Sequence, residues 1–307
     1  MEVIFGLEKI KSELAAVVTV GTFDGIHLGH RKIIDRVIKL ARREHLTSTL
    51  LTFEPHPRVV VQNSDYERIK ILTNLEEKLL ILQNTGIERI VIAKFTREFS
   101  EIEHGDFIRD ILIKKLNARF IVIGHDHEFG RDRAGNYAEM QKLSKTCAFQ
   151  VIEVKPYKLG DETVSSTAIR KYIENGDVVK AAEMLGGYYS LRGIVVKGEG
   201  RGKRLSFPTA NIAIENHAKL TPKEGVYVVD CQVRDKKHRG MANIGYKPTF
   251  GGINKTVEVN LFDFSGDIYG EKVTLFFLQR LRKEIRFRNE QELIQQLHRD
   301  KKLSYKK

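Results

Sequence analysis

Residues 17–30 read VVTVGTFDGIHLGH, and this stretch decides the fold of the first half of the chain. Val17, Val18 and Val20 form a short β-branched run of the kind found in a strand covered on both faces. Gly21, Gly25 and Gly29 then break the run with turn chemistry. From residue 31 to 43, Ile33, Ile34, Val37, Ile38 and Ala41 recur at helical spacing. His27 and His30 flank Gly29 where that helix begins. A helix start offers unpaired backbone N–H groups and a partial positive charge, so it suits an anion. Two imidazoles there can contact a phosphate and stabilise charge developing on it, and Gly29 lets a phosphate approach the backbone. The residues alone also allow an ordinary strand–turn–helix with idle histidines.

The surrounding chain has 307 residues, room for two domains of ordinary size. Its 41% hydrophobic and 30% charged residues suit a globular protein, and no apolar run reaches the roughly 18–20 residues of a membrane span. The N-terminus scatters acidic and basic residues and carries no signal-peptide core. Cys147 and Cys231, the only cysteines, are far apart; they argue against a structural zinc site and for a reducing compartment, so the cytoplasm is expected. The net charge of +12 is uneven, because residues 185–307 hold 24 Lys+Arg against 13 Asp+Glu. That excess attracts polyanions, nucleic acid or ATP among them, or is a solvated surface.

Up to about residue 155, strand patterns at 17–20, 48–53, 89–93, 120–123 and 149–154 alternate with helical ones near 31–44, 75–86, 103–116 and 137–146. Alternation of this kind predicts an α/β domain with a parallel sheet and helices on both faces. Ligands of such sheets sit beyond the carboxyl ends of the strands. Two more loaded segments follow predicted strands. Glu54-Pro55-His56-Pro57 is a stiffened loop. Gly124-His125-Asp126-His127-Glu128-Phe129-Gly130 has metal-like composition, but one short loop rarely supplies a full ligand set. Farther on, Ser165 or Ser166 can cap a helix running through Thr167, Arg170, Tyr172 and Ile173, with Arg170 about one turn in and able to meet an anion at its start. Gly186-Gly187 ends a following helix, which predicts domains 1–186 and 187–307.

The second half reads as antiparallel strands at 190–196, 225–232, 238–244, 256–261 and 271–278, then an amphipathic helix from 290 to 298. That pattern predicts a small closed β-barrel with a C-terminal helix. Lys197-Gly198-Glu199-Gly200-Arg201-Gly202-Lys203 allows close backbone approach to phosphate, or is a hairpin turn; it lacks Walker A spacing. Phe207-Pro208-Thr209-Ala210-Asn211 follows. Thr209 and Asn211, two apart in an extended segment, present hard oxygens to one side, and Mg²⁺ on a nucleotide needs only one or two of these. Glu258 lies on a strand within VEVNLFDF; such a carboxylate is solvated, or is a general base if it meets a hydroxyl substrate.

These motifs carry a resemblance. GTFDGIHLGH resembles the HxGH signature of the nucleotidyltransferases in the form carried by bacterial FAD synthetases, which implies a Rossmann-like domain. TFEPHP, the GxDxxFG-like loop and Ser165–Arg170 match the same family. GxGxG…FPTAN, residues 243–250 (NIGYKPTF), VEVNLFDF and 267–270 (DIYG) look like a riboflavin kinase domain, in order. The chain therefore resembles, over nearly its whole length, the prokaryotic bifunctional riboflavin kinase/FAD synthetases. The resemblance implies phosphorylation of riboflavin to FMN, then adenylylation of FMN to FAD, with ATP as co-substrate and Mg²⁺. It implies Gly21, Phe23, Asp24, Gly25, His27, His30, Ser165, Ser166, Thr167 and Arg170 at the adenylyl-transfer ATP. It implies Pro55, Pro57, Asp126, Phe129 and Gly130 at the flavin and nucleotide loop. In the kinase it implies Gly198, Gly200, Gly202, Lys203, Pro208, Thr209 and Asn211 at ATP, Thr209 and Asn211 at Mg²⁺, and Glu258 as base. His125, His127, Ser206, Lys247 and Gly187-Tyr188 depart from frequent family residues without removing a reacting group. A chain with one active half and a nucleic-acid-binding flavin sensor are the alternatives; no recognisable nucleic-acid-reading motif favours the latter, and partners are expected to be small molecules.

Overall fold

The computed structural model describes residues 1–307 except 12–13, 62–69, 126–127, 132–134, 199–206, 250–251 and 307, and except the side chains of 247–249 and 252–254. Asp126, His127, Glu199, Gly200, Arg201, Gly202, Lys203 and Ser206, and the side chain of Lys247, therefore lie outside the described residues. By contacts the chain divides into Met1–Ser166 and Thr167–Lys307.

The first unit holds a sheet of β1 (Glu2–Phe5), β2 (Ala16–Val20), β3 (Thr47–Glu54), β4 (Arg89–Lys94), β5 (Ala118–Gly124) and β6 (Gln150–Val154), in the order β1-β4-β3-β2-β5-β6. Every pairing in it is parallel. The connections carry α1 (Leu28–Glu44), α2 (Pro57–Val61), α3 (Leu75–Gln83), α4 (Arg97–Ser100), α5 (His104–Asp106) and α6 (Tyr137–Ser144). Beyond α5 the chain continues as a π-helix over Phe107–Lys115, and after β6 it forms a small antiparallel ribbon of β7 (Lys158–Leu159) and β8 (Glu162–Thr163). Alternate strand residues feed two cores. Val18, Val20, Leu51, Val91 and Ile121 pack with Phe107, Leu112 and Met140 on one face. Val17, Leu50, Ile90 and Val122 pack with Ile34, Val37 and Leu40 of α1 on the other. All five residues of β2 are buried, as its β-branched run predicted. From β2 the chain winds outward through β3 and β4, then crosses to β5, so the strand order reverses beside β2 and opens a crevice there.

In the second unit α7 (Ser166–Asn175) starts on the last residue of the first unit, and α8 (Val178–Leu185) packs against β14 (Lys272–Arg282) and β9 (Tyr189–Val196). β10 (Ala210–Ala213), β11 (Gly225–Val233), β12 (Lys236–Thr249) and β13 (Gly252–Leu261) complete a closed barrel ordered β10-β13-β12-β11-β14-β9. Tyr227 and Phe277 fill its interior, edge to face at 5.3 Å, with Val229, Cys231, Leu191 and Leu275, all below 1% exposed. The C-terminal helix runs Glu290–Tyr305, longer than the apolar repeat predicted. The carboxylate of Asp300, 1% exposed, holds the Arg282 guanidinium through Nε at 2.9 Å and Nη2 at 2.7 Å, which fixes this helix to β14. Under it Phe207, Val226, Met241 and Phe262 form a second apolar layer.

The short edge strand β1, paired in parallel with β4, and the four-residue β10 are additions to the predicted strands. Pro57 is a correction: it opens α2 rather than closing a loop, since the first helical position needs no N–H.

Candidate active sites

The turn after β2 follows an uncommon backbone path. Phe23, Gly25 and Ile26 have φ of 46°, 84° and 39°, in the left-handed region that β-branched residues avoid. Phe23 and Ile26 are 3% and 0% exposed, so burial holds the path in place. Gly21 N–H reaches Leu51 O at 3.0 Å, anchoring the turn to β3. Asp24, 1% exposed, accepts from Leu72 N–H and Thr73 N–H, each at 2.9 Å, and thus braces the turn from within. Gly25 N–H donates to Thr73 Oγ1 at 3.0 Å.

His27 is the N-cap of α1, which begins at Leu28, three residues before the apolar repeat becomes visible. Its Nδ1 accepts the His30 N–H at 3.3 Å. That bond assigns the imidazole proton to Nε2, the form that donates to a phosphate oxygen. The two rings stack at 3.6 Å, and Phe23 meets His30 edge to face at 5.2 Å. A Cβ on Gly29 would sit 3.1 Å from the His27 ring, so Gly29 preserves the stack as well as backbone access. Ser166 Oγ donates to Asp24 O at 2.9 Å, joining the second predicted motif to the first. Ser165 precedes α7 at its cap position, which leaves Ser166 as the first helical residue; Thr167 and Arg170 lie on α7 and belong to the second unit.

At the neighbouring strand ends, Pro55 follows β3 and Pro57 begins α2. Phe129 pairs with Gly135 through two backbone hydrogen bonds of 3.0 and 2.9 Å, and its ring meets that of Phe107 at a tilt of 40°, centroids 5.7 Å apart. Gly130 has φ +74°, and a Cβ there would lie 2.8 Å from the His104 Cα. His125 Nδ1 pairs with Glu153 at 2.7 Å.

Sequence reasoning missed Lys78. This side chain, 4% exposed, comes from the first turn of α3 and donates to Thr22 O at 2.6 Å and Thr52 Oγ1 at 3.3 Å. Burial holds its ammonium below the ordinary lysine range, against the pull of Asp24 and Glu54. Asn74 and Glu77 form a capping box that marks the α3 start and was open to view in the sequence; nothing local says that Lys78 points inward.

On the barrel, register does the positioning. Glu258 of β13 stands opposite Asn211 of β10 on one side and Asn243 of β12 on the other. Directly paired residues share a face. Thr209 Oγ1 lies 3.4 Å from Glu258 Oε2, and Asn260 Nδ2 holds Pro208 O at 2.7 Å, which seats the Pro208–Asn211 segment beside the carboxylate. Gly198 comes up against the Asn211 amide. Asn243 and Glu284, whose side chains meet at 3.3 Å, border the row and were not among the expected site residues. No cluster of three or more His, Cys, Asp or Glu among the described residues makes a protein-built metal cage. One hydroxyl, one amide oxygen and a carboxylate instead fit Mg²⁺ arriving on a nucleotide.

A nucleotide-type crevice in one unit and an oxygen-lined barrel face in the other define a two-domain ATP-dependent transferase. The family model for FAD synthetase matches residues 9–168, and that for riboflavin kinase matches residues 185–306. A bifunctional riboflavin kinase/FMN adenylyltransferase of Buchnera aphidicola subsp. Acyrthosiphon pisum (strain APS) is 35% identical over 304 residues, covering 98% of this chain and 96% of that one. Its counterpart from Bacillus subtilis (strain 168) is 36% identical over 297 residues, covering 95% and 92%. A crystal structure from Streptococcus pneumoniae, described as a macrolide-efflux protein, matches with a TM-score of 0.91 at 32% identity over 99% of both chains. No helix among the described residues of the present chain is long and apolar enough to cross a membrane. The chain belongs to the bifunctional riboflavin kinase/FMN adenylyltransferases and carries both enzyme domains.

Proposed function

We propose that the two constellations divide the chemistry between them. On the barrel, the terminal hydroxyl of riboflavin attacks the ATP γ-phosphorus, Glu258 accepts its proton, and FMN and ADP form. Thr209 and Asn211 would hold Mg²⁺, which supplies charge neutralisation on the phosphates when bound. In the first unit the FMN phosphate attacks the α-phosphorus of a second ATP, and pyrophosphate leaves. No side-chain nucleophile is required. His27 through Nε2–H, His30 and the α1 N-terminus stabilise charge on the triphosphate. Pro55, Pro57, Phe129 and Gly130 line the flavin side. By role the division falls at 186/187. Two free cysteines fit a cytoplasmic enzyme whose partners are its small-molecule substrates.

The observation that carries this reading is the convergence of Thr209, Asn211 and Glu258 on one barrel face, within a unit that contains neither histidine. The experiment is incubation with riboflavin, ATP and Mg²⁺ and separation of FMN from FAD over time. FMN must rise first and FAD follow; FAD without intermediate FMN, or FMN alone, overturns the reading.

A further inference from the structure

The first-unit site has a hidden support. The stretch from Leu72 to Lys78 grips the turn after β2 at three residues, Thr22, Asp24 and Gly25. Asp24 accepts from Leu72 and Thr73, Gly25 donates to Thr73 Oγ1, and Lys78 Nζ donates to Thr22 O. Thr52 Oγ1 takes part as well, donating to Thr22 O at 3.3 Å while it accepts from Lys78 Nζ at 3.3 Å. The gripped residues directly precede Ile26, whose carbonyl takes the Arg31 Nε at 3.2 Å, and His27, whose Nδ1 caps α1.

A lysine is costly in such a place. Lys78 as a whole is 4% exposed, and Asp24 and Glu54 are the charged groups acting on its ammonium, from the turn and from the end of β3. An apolar side chain would satisfy packing alone at lower cost. What Lys78 adds is a charge-assisted hydrogen bond of 2.6 Å to one carbonyl of a turn that contains two non-glycine residues at positive φ.

The geometry points to Lys78 as a positioning residue for adenylyl transfer, one that fixes the Thr22–Ile26 path and through it the orientation of His27 and His30. The inference rests on the proposed role of those histidines. Lys78 does not touch substrate; it acts through His27. A misplacement near 1 Å at a reacting centre lowers turnover by about a hundredfold, so loss of this hold is expected to cost between about tenfold and a hundredfold.

The test is a double-mutant cycle on FAD formation from supplied FMN and ATP, with active-enzyme concentration fixed by ATP-binding stoichiometry. Lys78→Met keeps the length and removes the charge. It is expected to lower kcat by about tenfold or more with the ATP KM changed less than about threefold, because the hold matters at the transition state. FMN formation by the same protein stays at the unsubstituted rate. In the pair Lys78→Met/His27→Ala, FAD formation matches His27→Ala alone, because both changes remove the same contribution. Multiplying effects, or a folded Lys78→Met with kcat within about twofold of the parent, overturn the inference. If His27→Ala itself leaves FAD formation intact, the role given to the histidines fails instead. Should Lys78→Met not fold, Thr52→Val takes its place in the cycle: a smaller loss that vanishes in the His27→Ala background supports the inference, and a loss that persists there, or no loss, refutes it.

Discussion

Gly130→Ala isolates what the 124–135 loop contributes. Gly130 has φ +74°, where an L side chain costs about 1–2 kcal/mol. Its new Cβ would also lie 2.8 Å from the Cα, 2.9 Å from the Cβ and 2.9 Å from the N of His104. Carbon atoms pack at about 3.5–4.0 Å, so the loop must move by roughly 0.7 Å or more. His104 offers main chain there, not a flexible tip, and Phe129 on the adjoining residue moves with the loop. If this loop forms one wall of the FMN site, a shift of that size costs between about tenfold and a hundredfold in kcat/KM for FMN. The assay is FAD formation at varied FMN, with FMN formation from riboflavin as the internal control. Gly160→Ala supplies the comparison, because Gly160 also has positive φ, +58°, but a Cβ there meets nothing within 4 Å. It is expected to lower stability by about 1 kcal/mol and to leave both activities alone. Equal FAD formation in Gly130→Ala and the parent, or equal losses in both alanine variants, would refute the reasoning.

Other outcomes follow from the same structure. Asp300→Ala leaves the largely buried Arg282 without its carboxylate, so the barrel should lose about 3–5 kcal/mol in urea unfolding, with Asp300→Asn losing less. Burial pushes the Cys231 thiol up to about 12, so a thiol reagent at pH 8 should label Cys147 and spare Cys231 until the barrel unfolds. Lys78 titrates below its ordinary value of 10.5, so the cost of burying its charge is present at neutral pH and relieved as pH rises through the lowered value. Stability of the parent relative to Lys78→Met should therefore rise on the alkaline side, as read from denaturation midpoints between pH 8 and 10.5; a falling difference would contradict the assignment.

Much of this was legible in the chain because burial imposes periods. The β-branched run at 17–20 and the 3.6-residue repeat after it could only form a covered strand and a helix against it, and they do. The row Thr209, Asn211 and Glu258 was legible as residues but not as a row, since long-range register decides which strands meet. The strand order of the barrel was hidden for the same reason. β1 stayed invisible because four residues at a sheet edge carry too little pattern. Lys78 was illegible on principle: a lysine in a helix's first turn is ordinarily solvated, and only Thr22, Thr52 and Asp24, brought together by the fold, make its burial tolerable.

The central claim, two ATP-dependent steps on two separately built sites, has a direct test. The His27→Ala/His30→Ala variant and the Glu258→Ala variant are each given riboflavin, ATP and Mg²⁺, and each is then given FMN in place of riboflavin. The histidine variant should accumulate FMN at the parent rate and make no FAD, while the Glu258 variant should make no FMN from riboflavin yet convert supplied FMN to FAD. Equal loss of both products in the histidine variant, or undiminished FMN formation in the Glu258 variant, would contradict the account.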